Sequence, residues 1–346
     1  MLSDLPTTLP RPAPIPVRDA VDRATFEREI VPAYTPVVLK GQVADWPVVR
    51  AAQQGDAALV DLLKAGASER PLETFIGRPE IGGRFFYNDA VNGLNFERQA
   101  VPLGTTLDRL LAERADPQAG ARYVGAASAT DCMPGFEASH VLPIVDTRVL
   151  PRLWIGNATT VSTHYDLSDN VACVGAGRRR FTLFPPNQLN NLYVGPLDFT
   201  LAGQPVSMVS LRDPDMERFP RFSEAMAHAL TAELEPGDAL YIPPLWWHQV
   251  EALSPLNLLV NYWWTASGAP PSPFEALIHS VMTVRALPAA QREAWRQMFD
   301  HYVFEANGDP AAHLPAASRG VLGPMTPTLA RRITDFLMAG LRRTGM

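Results

Sequence analysis

Short apolar segments with β-strand character dominate the middle of the chain, from residue 122 to residue 264. Turn-forming sequences, such as Gly175-Ala-Gly177 and Pro236-Gly-Asp238, separate them. The predicted strands are Tyr123–Ala126, Arg152–Gly156, Asn170–Val174, Arg179–Phe184, Ala239–Ile242 and Leu256–Trp263. Many short strands at this spacing favour a barrel or jelly roll over a sheet with alternating helices. One helical segment, at about residues 219–230, interrupts them.

Helical periodicity marks both ends of the chain. The predicted helices are Asp19–Ile30, two segments of Ala44–Ala67 on either side of Gly55, Leu107–Arg114, Phe274–Arg285, Gln291–Glu305 and Thr328–Arg343, with strands at Pro36–Lys40 and Arg84–Tyr87. We therefore expect a mainly β fold with flanking helices. It divides into an extended, proline-rich lead-in over residues 1–17, a central domain over 18–268 and a C-terminal helical segment over 269–346.

Composition narrows the functional classes. Hydrophobic residues make up 47% of the chain and charged residues 19%, which disfavours a disordered or fibrous protein. The net charge of -6 and the pI of about 5.7 disfavour a nucleic-acid partner. Cys132 and Cys173 form no CxxC pair, so we expect no disulfide framework and a cytoplasmic location. No signal peptide is evident, and no apolar run approaches the ~18 residues of a membrane span.

Candidate chemistry centres on His164-Tyr165-Asp166. On a strand, residues 164 and 166 would point to the same face. His248, shortly after the predicted strand at 239–242, offers a third ligand. Two histidines and one carboxylate leave adjacent positions open on a metal, as in non-haem Fe(II) oxygenases. The other histidines lie in predicted loops or helices without a carboxylate in strand register, and we interpret them as structural or solvated: His140, His228, His279, His301 and His313.

An HxD tripeptide arises often by chance, but further motifs follow in a fixed order. They are Gly156-Asn157, His164-Tyr-Asp166, Arg178–Pro186, Pro236–Pro243, Trp246-Trp-His248 and Asn261-Tyr-Trp263. Over about residues 15–265 the chain resembles the cupin-like Jumonji-C oxygenases, in particular the group with the asparaginyl hydroxylase acting on hypoxia-inducible factor. The resemblance implies a double-stranded β-helix (jelly-roll) core. It also implies Fe(II) held by His164, Asp166 and His248, with 2-oxoglutarate and O₂ as cosubstrates.

The resemblance also assigns residues of the cosubstrate pocket. Asn170, four positions after Asp166, and Asn261, thirteen after His248, match asparagines that line the 2-oxoglutarate site. Tyr123 stands at about the place of a tyrosine that bonds the distal carboxylate of 2-oxoglutarate.

Arg179 stands where the related hydroxylase has a lysine for that distal carboxylate. Arginine preserves the charge and can form a bidentate pair, although the two side chains are not interchangeable. Strand alternation predicts that Arg179 points inward and that Arg178 and Arg180 are solvated.

A second departure is Val161, which replaces a threonine three positions before the first ligand. Valine cannot donate a hydrogen bond, so either Thr160 or Thr163 compensates or this anchor is lost.

The activity that the resemblance implies is hydroxylation of a C–H bond with release of succinate and CO₂. The alternatives are a cupin metalloenzyme that does not use 2-oxoglutarate and a catalytically silent, ligand-binding member.

The sequence does not specify the substrate. The resemblance favours a protein side chain, and a small molecule is the alternative. Tryptophans in the motifs are interpreted in part as core residues, Tyr165 is expected to pack behind the site, and Cys173 is expected in the core. The resemblance also implies a homodimer through residues 274–344, although these apolar helices could instead cover the barrel.

Overall fold

The computed structural model describes residues 9–265 and 272–343. The chain divides into two compact units, residues 1–266 and residues 267–346. The strands within the described ranges all belong to the first unit. No helix within these ranges combines the length and the apolar character needed to cross a membrane.

Fifteen strands of the described chain form two sheets. In chain order they are β1 Ala13–Pro14, β2 Val17–Asp19, β3 Val37–Lys40, β4 Pro71–Gly77, β5 Arg84–Phe85, β6 Phe96–Pro102, β7 Ala121–Ser128, β8 Arg152–Gly156, β9 Thr160–His164, β10 Asp169–Ala176, β11 Arg179–Phe184, β12 Leu230–Leu234, β13 Ala239–Ile242, β14 Trp247–Ala252 and β15 Asn257–Trp264. The nine-stranded sheet has the order β2-β3-β13-β10-β15-β8-β7-β4-β6, and the six-stranded sheet has the order β1-β12-β11-β14-β9-β5.

Strands β8 to β15 form the jelly-roll core, as the sequence pattern predicts. Four of them lie side by side in the large sheet, in the order β13-β10-β15-β8, and four in the small sheet, in the order β12-β11-β14-β9. Every pairing among neighbours in these two groups is antiparallel. One hydrophobic cluster contains side chains from both sheets, among them Ala172, Phe181 and Val250, so the interior lies between them.

The large sheet is covered on both faces, which strand β10 makes evident. Val171 and Cys173 pack into the outer cluster with the helices, while Ala172 and Val174 face the barrel interior. Since side chains alternate along a strand, burial on both faces produces the unbroken apolar run of this segment. Cys173 is a buried free thiol in that outer cluster, and burial raises its pKa, which confirms its interpretation as a core residue.

The helices of the first unit supply the outer cover. They are Arg23–Thr25, Val31–Ala33, Pro47–Gln54, Asp56–Gly66, Leu103–Glu113, Ala129–Cys132, Phe136–Ser139 and Phe222–Ala227, with a π-helical turn at Phe26–Ile30 and 3-10 turns at Pro79–Ile81 and Pro186–Asn191. The two helices on either side of Gly55 confirm the prediction for residues 44–67.

The first helix begins later than predicted. Asp19 belongs to strand β2, which pairs in parallel with β3, and the helix starts after Asp22. The Asp22 carboxylate accepts a hydrogen bond from the backbone N–H of Thr25, 2.8 Å away, and this cap fixes the helix start. A sequence pattern alone does not reveal that the preceding residues are taken up by sheet pairing.

Several strands have no counterpart among the sequence predictions. Strand β6, with the sequence Phe-Glu-Arg-Gln-Ala-Val-Pro, is largely exposed because it is the edge of the large sheet. Strand β12 is only partly buried and begins at Leu230, where the segment predicted to be helical ends, and the helix within that segment is confined to Phe222–Ala227. Both owe their strand structure to neighbouring strands more than to an apolar pattern of their own.

The second unit contains the helices Pro273–Thr283, Ala289–Tyr302 and Pro327–Arg343 and the 3-10 turns Ala316–Ser318 and Gly320–Leu322. The three longer helices correspond closely to the predicted ones.

Candidate metal centre and adjoining cavity

His164 and His248 lie directly opposite each other on the neighbouring strands β9 and β14. Their ring centroids are 4.3 Å apart. His248 comes shortly after strand β13, as predicted, and it is itself the second residue of the next strand, β14. Tertiary pairing of β9 with β14 brings together two imidazoles that lie far apart in the sequence.

Asp166 lies outside the strand, because β9 ends at His164. Strand alternation therefore does not place His164 and Asp166 on one face, as predicted, although Tyr165 does point away from the site and packs edge-on against Trp247, with ring centroids 4.8 Å apart. The Asp166 backbone carbonyl instead accepts a hydrogen bond from the N–H of Leu245, 2.8 Å away. A loop contact, rather than the pleat, sets the position of this carboxylate.

The three side chains are arranged to share one cation. One potential ligand atom from each lies within 4.8 Å of the others, and Nε2 of His248 is 3.7 Å from Oδ2 of Asp166. Nδ1 of His164 lies 2.9 Å from the carbonyl of Ser162, and Nδ1 of His248 lies 3.0 Å from that of Trp246. Because a carbonyl can only accept, each Nδ1 carries the proton and each Nε2 is left with a free lone pair.

Burial keeps His248 neutral. Its removal from water, with the proximity of His164 as a second cause, lowers the pKa of His248 to about 4. A metal binds the neutral imidazole, so this histidine is ready to ligate at neutral pH without losing a proton. Among the residues that the structure describes, His164, Asp166 and His248 are the only cluster of three or more such side chains with ligand atoms this close together.

The structure brings all seven sequence-predicted site residues to one cavity between the sheets. Alternation places Asn170 of β10, Arg179 of β11 and Asn261 of β15 on the inner face. The residues lining this cavity include Tyr123, His164, Asp166, Asn170, Arg179, His248 and Asn261, together with Trp154, Val161, Phe181 and Trp263. The seven residues come from several different strands and a loop, so only the fold unites them.

A chain of hydrogen bonds runs along one side of the cavity. Trp154 donates its indole N–H to Oδ1 of Asn261 at 2.7 Å, and Nδ2 of Asn261 donates to Oδ1 of Asn170 at 3.3 Å. Nδ2 of Asn170 then donates to Oδ2 of Asp166, also at 3.3 Å. The buried side-chain amide of Asn261 therefore has a protein partner at its oxygen and another at its nitrogen.

Arg179 is a buried cation. Its side chain is 2% exposed, its Nε has no hydrogen-bond partner, and one guanidinium nitrogen lies 3.5 Å from the carbonyl of Trp154. Burial lowers the pKa of Arg179 to about 10, so it remains charged at neutral pH. Burial also raises the pKa of the Tyr123 phenol, which stays protonated and can donate. Among the described residues, no carboxylate forms an ion pair with the Arg179 guanidinium.

Of the two arginines next to Arg179, both of which were predicted to be solvated, only Arg178 is. Arg178 is exposed, as expected. Arg180 is not simply solvated: its side chain is 12% exposed and forms an ion pair with Glu233 of the adjacent strand, with 2.8 Å between the charged atoms. Register explains the difference, since Arg180 stands opposite Glu233 on β12 and opposite Glu251 on β14.

Val161 lines the cavity, whereas Thr160 and Thr163 are absent from its wall. A register irregularity between His248 and Val250 puts both His164 and Val161 on the inner face of β9. Neither threonine hydroxyl therefore replaces the missing donor, and this part of the wall is apolar.

Trp263 is a site residue that the sequence analysis interpreted only as part of a motif or of the core. Its indole N–H donates to Oδ2 of Asp166 at 3.1 Å. Trp263 stands opposite Asn170 in the β10–β15 pairing, so both donors reach the same carboxylate. The only available signal was its position two residues after Asn261, on the same face of the strand. Trp246 and Trp247, by contrast, are buried core residues.

A jelly-roll core with two histidines and one carboxylate converging on its interior defines a cupin-type protein with a candidate metal centre of the facial-triad kind. Comparison with known families agrees. The family model described as "Cupin-like domain" matches residues 23–269. The chain therefore belongs to the cupin-like, Jumonji-C family, which confirms the family resemblance seen in the sequence.

Three curated relatives illustrate the similarity. Lysine-specific demethylase JMJ31 of Arabidopsis thaliana is 34% identical over 115 residues, covering 33% of this chain and 20% of the relative. HSPB1-associated protein 1 of Homo sapiens is 35% identical over 113 residues, covering 32% and 22%. Lysine-specific demethylase 8 of Xenopus tropicalis is 26% identical over 238 residues, covering 66% and 48%. The chain thus spans between a fifth and a half of these proteins.

Proposed function

We propose that the chain is a non-haem Fe(II)- and 2-oxoglutarate-dependent oxygenase that hydroxylates a C–H bond of a protein side chain or a small molecule, with release of succinate and CO₂. The observation that carries the proposal is the pairing of two features in one cavity: the His164, Asp166 and His248 cluster and the buried, uncompensated cation Arg179. Membership of the cupin-like family supports it.

The donor set suits Fe(II). Two imidazole nitrogens and one carboxylate oxygen bind a divalent first-row metal and leave open positions for exogenous ligands. Asp166 would offset part of the charge of a bound metal, and the hydrogen bonds from Asn170 and Trp263 to its Oδ2 hold it in one orientation. The backbone carbonyls at Nδ1 of the two histidines leave each Nε2 available as a ligand atom.

Arg179 suits the distal carboxylate of 2-oxoglutarate. It lies four residues along β11 from Leu183, the residue opposite His248, which is about 13 Å of strand. A buried cation without a counter-charge is unfavourable, and a dicarboxylate reaching it from the metal would supply that charge. Tyr123, held neutral, adds a phenolic donor on the same cavity wall.

When bound, Fe(II) and 2-oxoglutarate would supply the oxidising chemistry by coupling decarboxylation to oxygen transfer. The residues of the chain bind, orient and exclude water. Val161, Phe181 and Trp154 make the wall between the two charged ends apolar, which keeps the reaction away from bulk solvent. Asn170, itself hydrogen-bonded to Asn261, holds the Asp166 carboxylate in place and so restricts its rotation.

The test is succinate formation from 2-oxoglutarate by the protein with Fe(II), ascorbate and O₂. We expect succinate above background, and we expect His164→Ala to abolish both this turnover and Mn(II) binding measured by calorimetry. His228→Ala is the matched control, because His228 is exposed and lies outside the cavity. Unchanged turnover in His164→Ala would contradict the assignment.

Arg179→Leu separates the cosubstrate from the metal. We expect this variant to bind Mn(II) normally and to lose 2-oxoglutarate binding by at least about 100-fold, since a charge-assisted pair disappears. Because the replacement removes a buried, unpaired charge, we also expect the free energy of unfolding of the ligand-free protein to rise, by about 1–3 kcal/mol. Undiminished 2-oxoglutarate binding would favour the metalloenzyme alternative that does not use this cosubstrate.

A further inference from the structure

A second cavity, of about 510 Å³, adjoins the candidate metal centre. His164 and Asp166 line both this outer cavity and the inner one. A group bound in the outer cavity therefore lies beside the metal ligands, and the volume suits a substrate side chain. If the proposed function holds, on which the interpretation as a substrate site rests, the chemistry of this cavity decides which group is oxidised.

One wall of the outer cavity is a closed aromatic cluster. Phe75, Phe85, Phe96 and Tyr123 are each less than a tenth exposed. The centroids of Phe75 and Phe96 are 4.9 Å apart, and those of Phe85 and Phe96 are 5.1 Å apart. The rings pack against one another, and the Arg98 guanidinium already lies over the rings of Phe75 and Phe96, so the cluster differs from an open cage whose free ring faces bind a cation. The wall therefore offers apolar surface.

The charges at the outer cavity are already compensated. Besides the two candidate metal ligands, its charged side chains are Glu73 and Arg98. They form an ion pair with 3.5 Å between the charged atoms. The Arg98 guanidinium also lies 5.1 Å from the ring centroid of Phe75 and donates a hydrogen bond to the carbonyl of Leu201. A cationic substrate group would therefore have to compete with Arg98 for the Glu73 carboxylate.

Small residues make room inside the cavity. Gly125 and Ala126 lie where the pairing of β7 with β8 is irregular, and both line the cavity. A side chain at position 125 would approach Tyr123 to 3.3 Å and Trp154 to 3.4 Å. Thr200 and Gln204 also line the cavity. These neutral groups can hydrogen-bond the amides that flank a side chain in a polypeptide.

We infer that the outer cavity takes an uncharged, apolar group, such as an aliphatic side chain, and rejects cationic side chains. The aromatic wall supplies the apolar contact. A bound lysine or arginine side chain would need a carboxylate partner, and the Glu73 carboxylate is already paired with Arg98. The apolar group can belong to a polypeptide or to a small molecule. Only the polypeptide has backbone amides on both sides of the group.

Binding of defined probes tests the inference without turnover. The probes are N-acetyl-leucine methylamide, N-acetyl-lysine methylamide and 3-methylbutan-1-ol, titrated onto Zn(II)-treated protein while the indole N–H signals of Trp154 and Trp263 are followed by NMR. We expect the leucine probe to bind at least about tenfold more tightly than the lysine probe. Tighter binding of the leucine probe than of the alcohol indicates a polypeptide source, and similar binding indicates a small molecule.

Arg98→Met supplies the sharpest variant, because it keeps an apolar stem over Phe75 and frees the Glu73 carboxylate. We expect the lysine probe to gain about tenfold in affinity, with Arg109→Met, at an exposed position on another element, as the unchanged control. Equal binding of the two amide probes to the native protein would overturn the inference. So would absence of leucine binding, or an unchanged ratio in a folded Arg98→Met variant. A protein that binds leucine but forms no succinate would count only against the proposed function.

Discussion

Asp166 depends on its neighbours more than either histidine does. The histidines are held by strand register and by one backbone carbonyl each, whereas Asp166 lies in a loop. Its side chain accepts hydrogen bonds from Asn170 and Trp263, both at Oδ2. At the scale of single residues, we therefore expect the orientation of the Asp166 carboxylate to be sensitive to replacement of the residues that hydrogen-bond to it.

Trp263→Phe removes one of these hydrogen bonds and keeps an aromatic ring. We expect the affinity for Mn(II), measured by calorimetry, to fall about 10-fold to 100-fold, with little change in thermal stability. Trp264→Phe is the control, because Trp264 lies outside the cavity and packs against Phe26. An unchanged metal affinity in Trp263→Phe would show that Asn170 alone is sufficient to orient Asp166.

Because His140 is buried, we expect the free energy of unfolding of the protein to depend on pH. His140 stacks on Phe136 with the ring centroids 3.7 Å apart, and its Nε2 is buried without a partner. Burial lowers the pKa of His140 in the folded protein. The unfolded state therefore binds more protons than the folded state as the pH falls. The stability that neutral His140 contributes to the folded protein is complete above the unfolded pKa of about 6.5, and it is lost as the pH falls below that value.

The measurement is the free energy of unfolding by urea between pH 8 and pH 5, for the native protein and for His140→Phe. We expect the native protein to lose up to about 1.4 kcal/mol more per pH unit below pH 6.5 than the variant does. His248, whose pKa is also lowered, acts in the same direction in both proteins, so the difference isolates His140. Parallel pH curves would contradict the expectation.

At the scale of elements, the turn between β10 and β11 sets where Arg179 enters the barrel. Gly177 adopts a φ of +69°, which side chains disfavour. A Cβ there would lie 2.6 Å from the backbone carbonyl of Leu256 and would also meet the buried side chain of Asn257. The tight turn thus requires glycine for two reasons, conformation and space.

Gly177→Ala and Gly41→Ala separate these two reasons. Gly41 has a similar φ of +63°, but no atom lies within 4 Å of the position that an alanine methyl group would take there. We expect Gly41→Ala to lower the free energy of unfolding by about 1 kcal/mol or less and Gly177→Ala by at least about 2 kcal/mol. Urea denaturation measures both, and equal losses would show that backbone conformation alone governs this turn.

At the scale of the whole molecule, the second unit exposes apolar helix surface. Within residues 272–343, only Pro310 and Ala311 are buried. Its exposed large apolar residues include Leu277, Met282, Trp295, Met298, Phe304, Phe336, Leu337 and Met338. Monomeric soluble proteins rarely expose large apolar patches, so we expect a partner surface to cover these side chains.

We propose that this surface mediates the homodimer expected from the sequence. The native chain should then sediment as a dimer at micromolar concentration, and Phe336→Glu should shift it to a monomer. Val17→Glu is the control, since Val17 is similarly exposed but belongs to the first unit. A native monomer in analytical ultracentrifugation would favour the alternative that these helices cover the barrel.

Much of the architecture could be predicted from the sequence because its signals are local. The apolar runs of β8, β10, β11, β13 and β15 reflect burial, and the helices on either side of Gly55 show their periodicity directly. The identities of the seven site residues followed from ordered motifs. By contrast, exposed or partly exposed strands such as β6 and β12 carry no apolar pattern, because pairing with neighbours holds them.

The sequence by itself determined the fold class, the family and the chemical types at the candidate site. Only the tertiary structure decided how those groups meet. Strand register set His164 against His248, and a loop contact placed Asp166. Neighbouring strands supplied Glu233 to Arg180, while Arg179 was buried without a carboxylate. The physical reason is that register, hydrogen bonds and desolvation act between residues distant in the chain, where no local pattern records them.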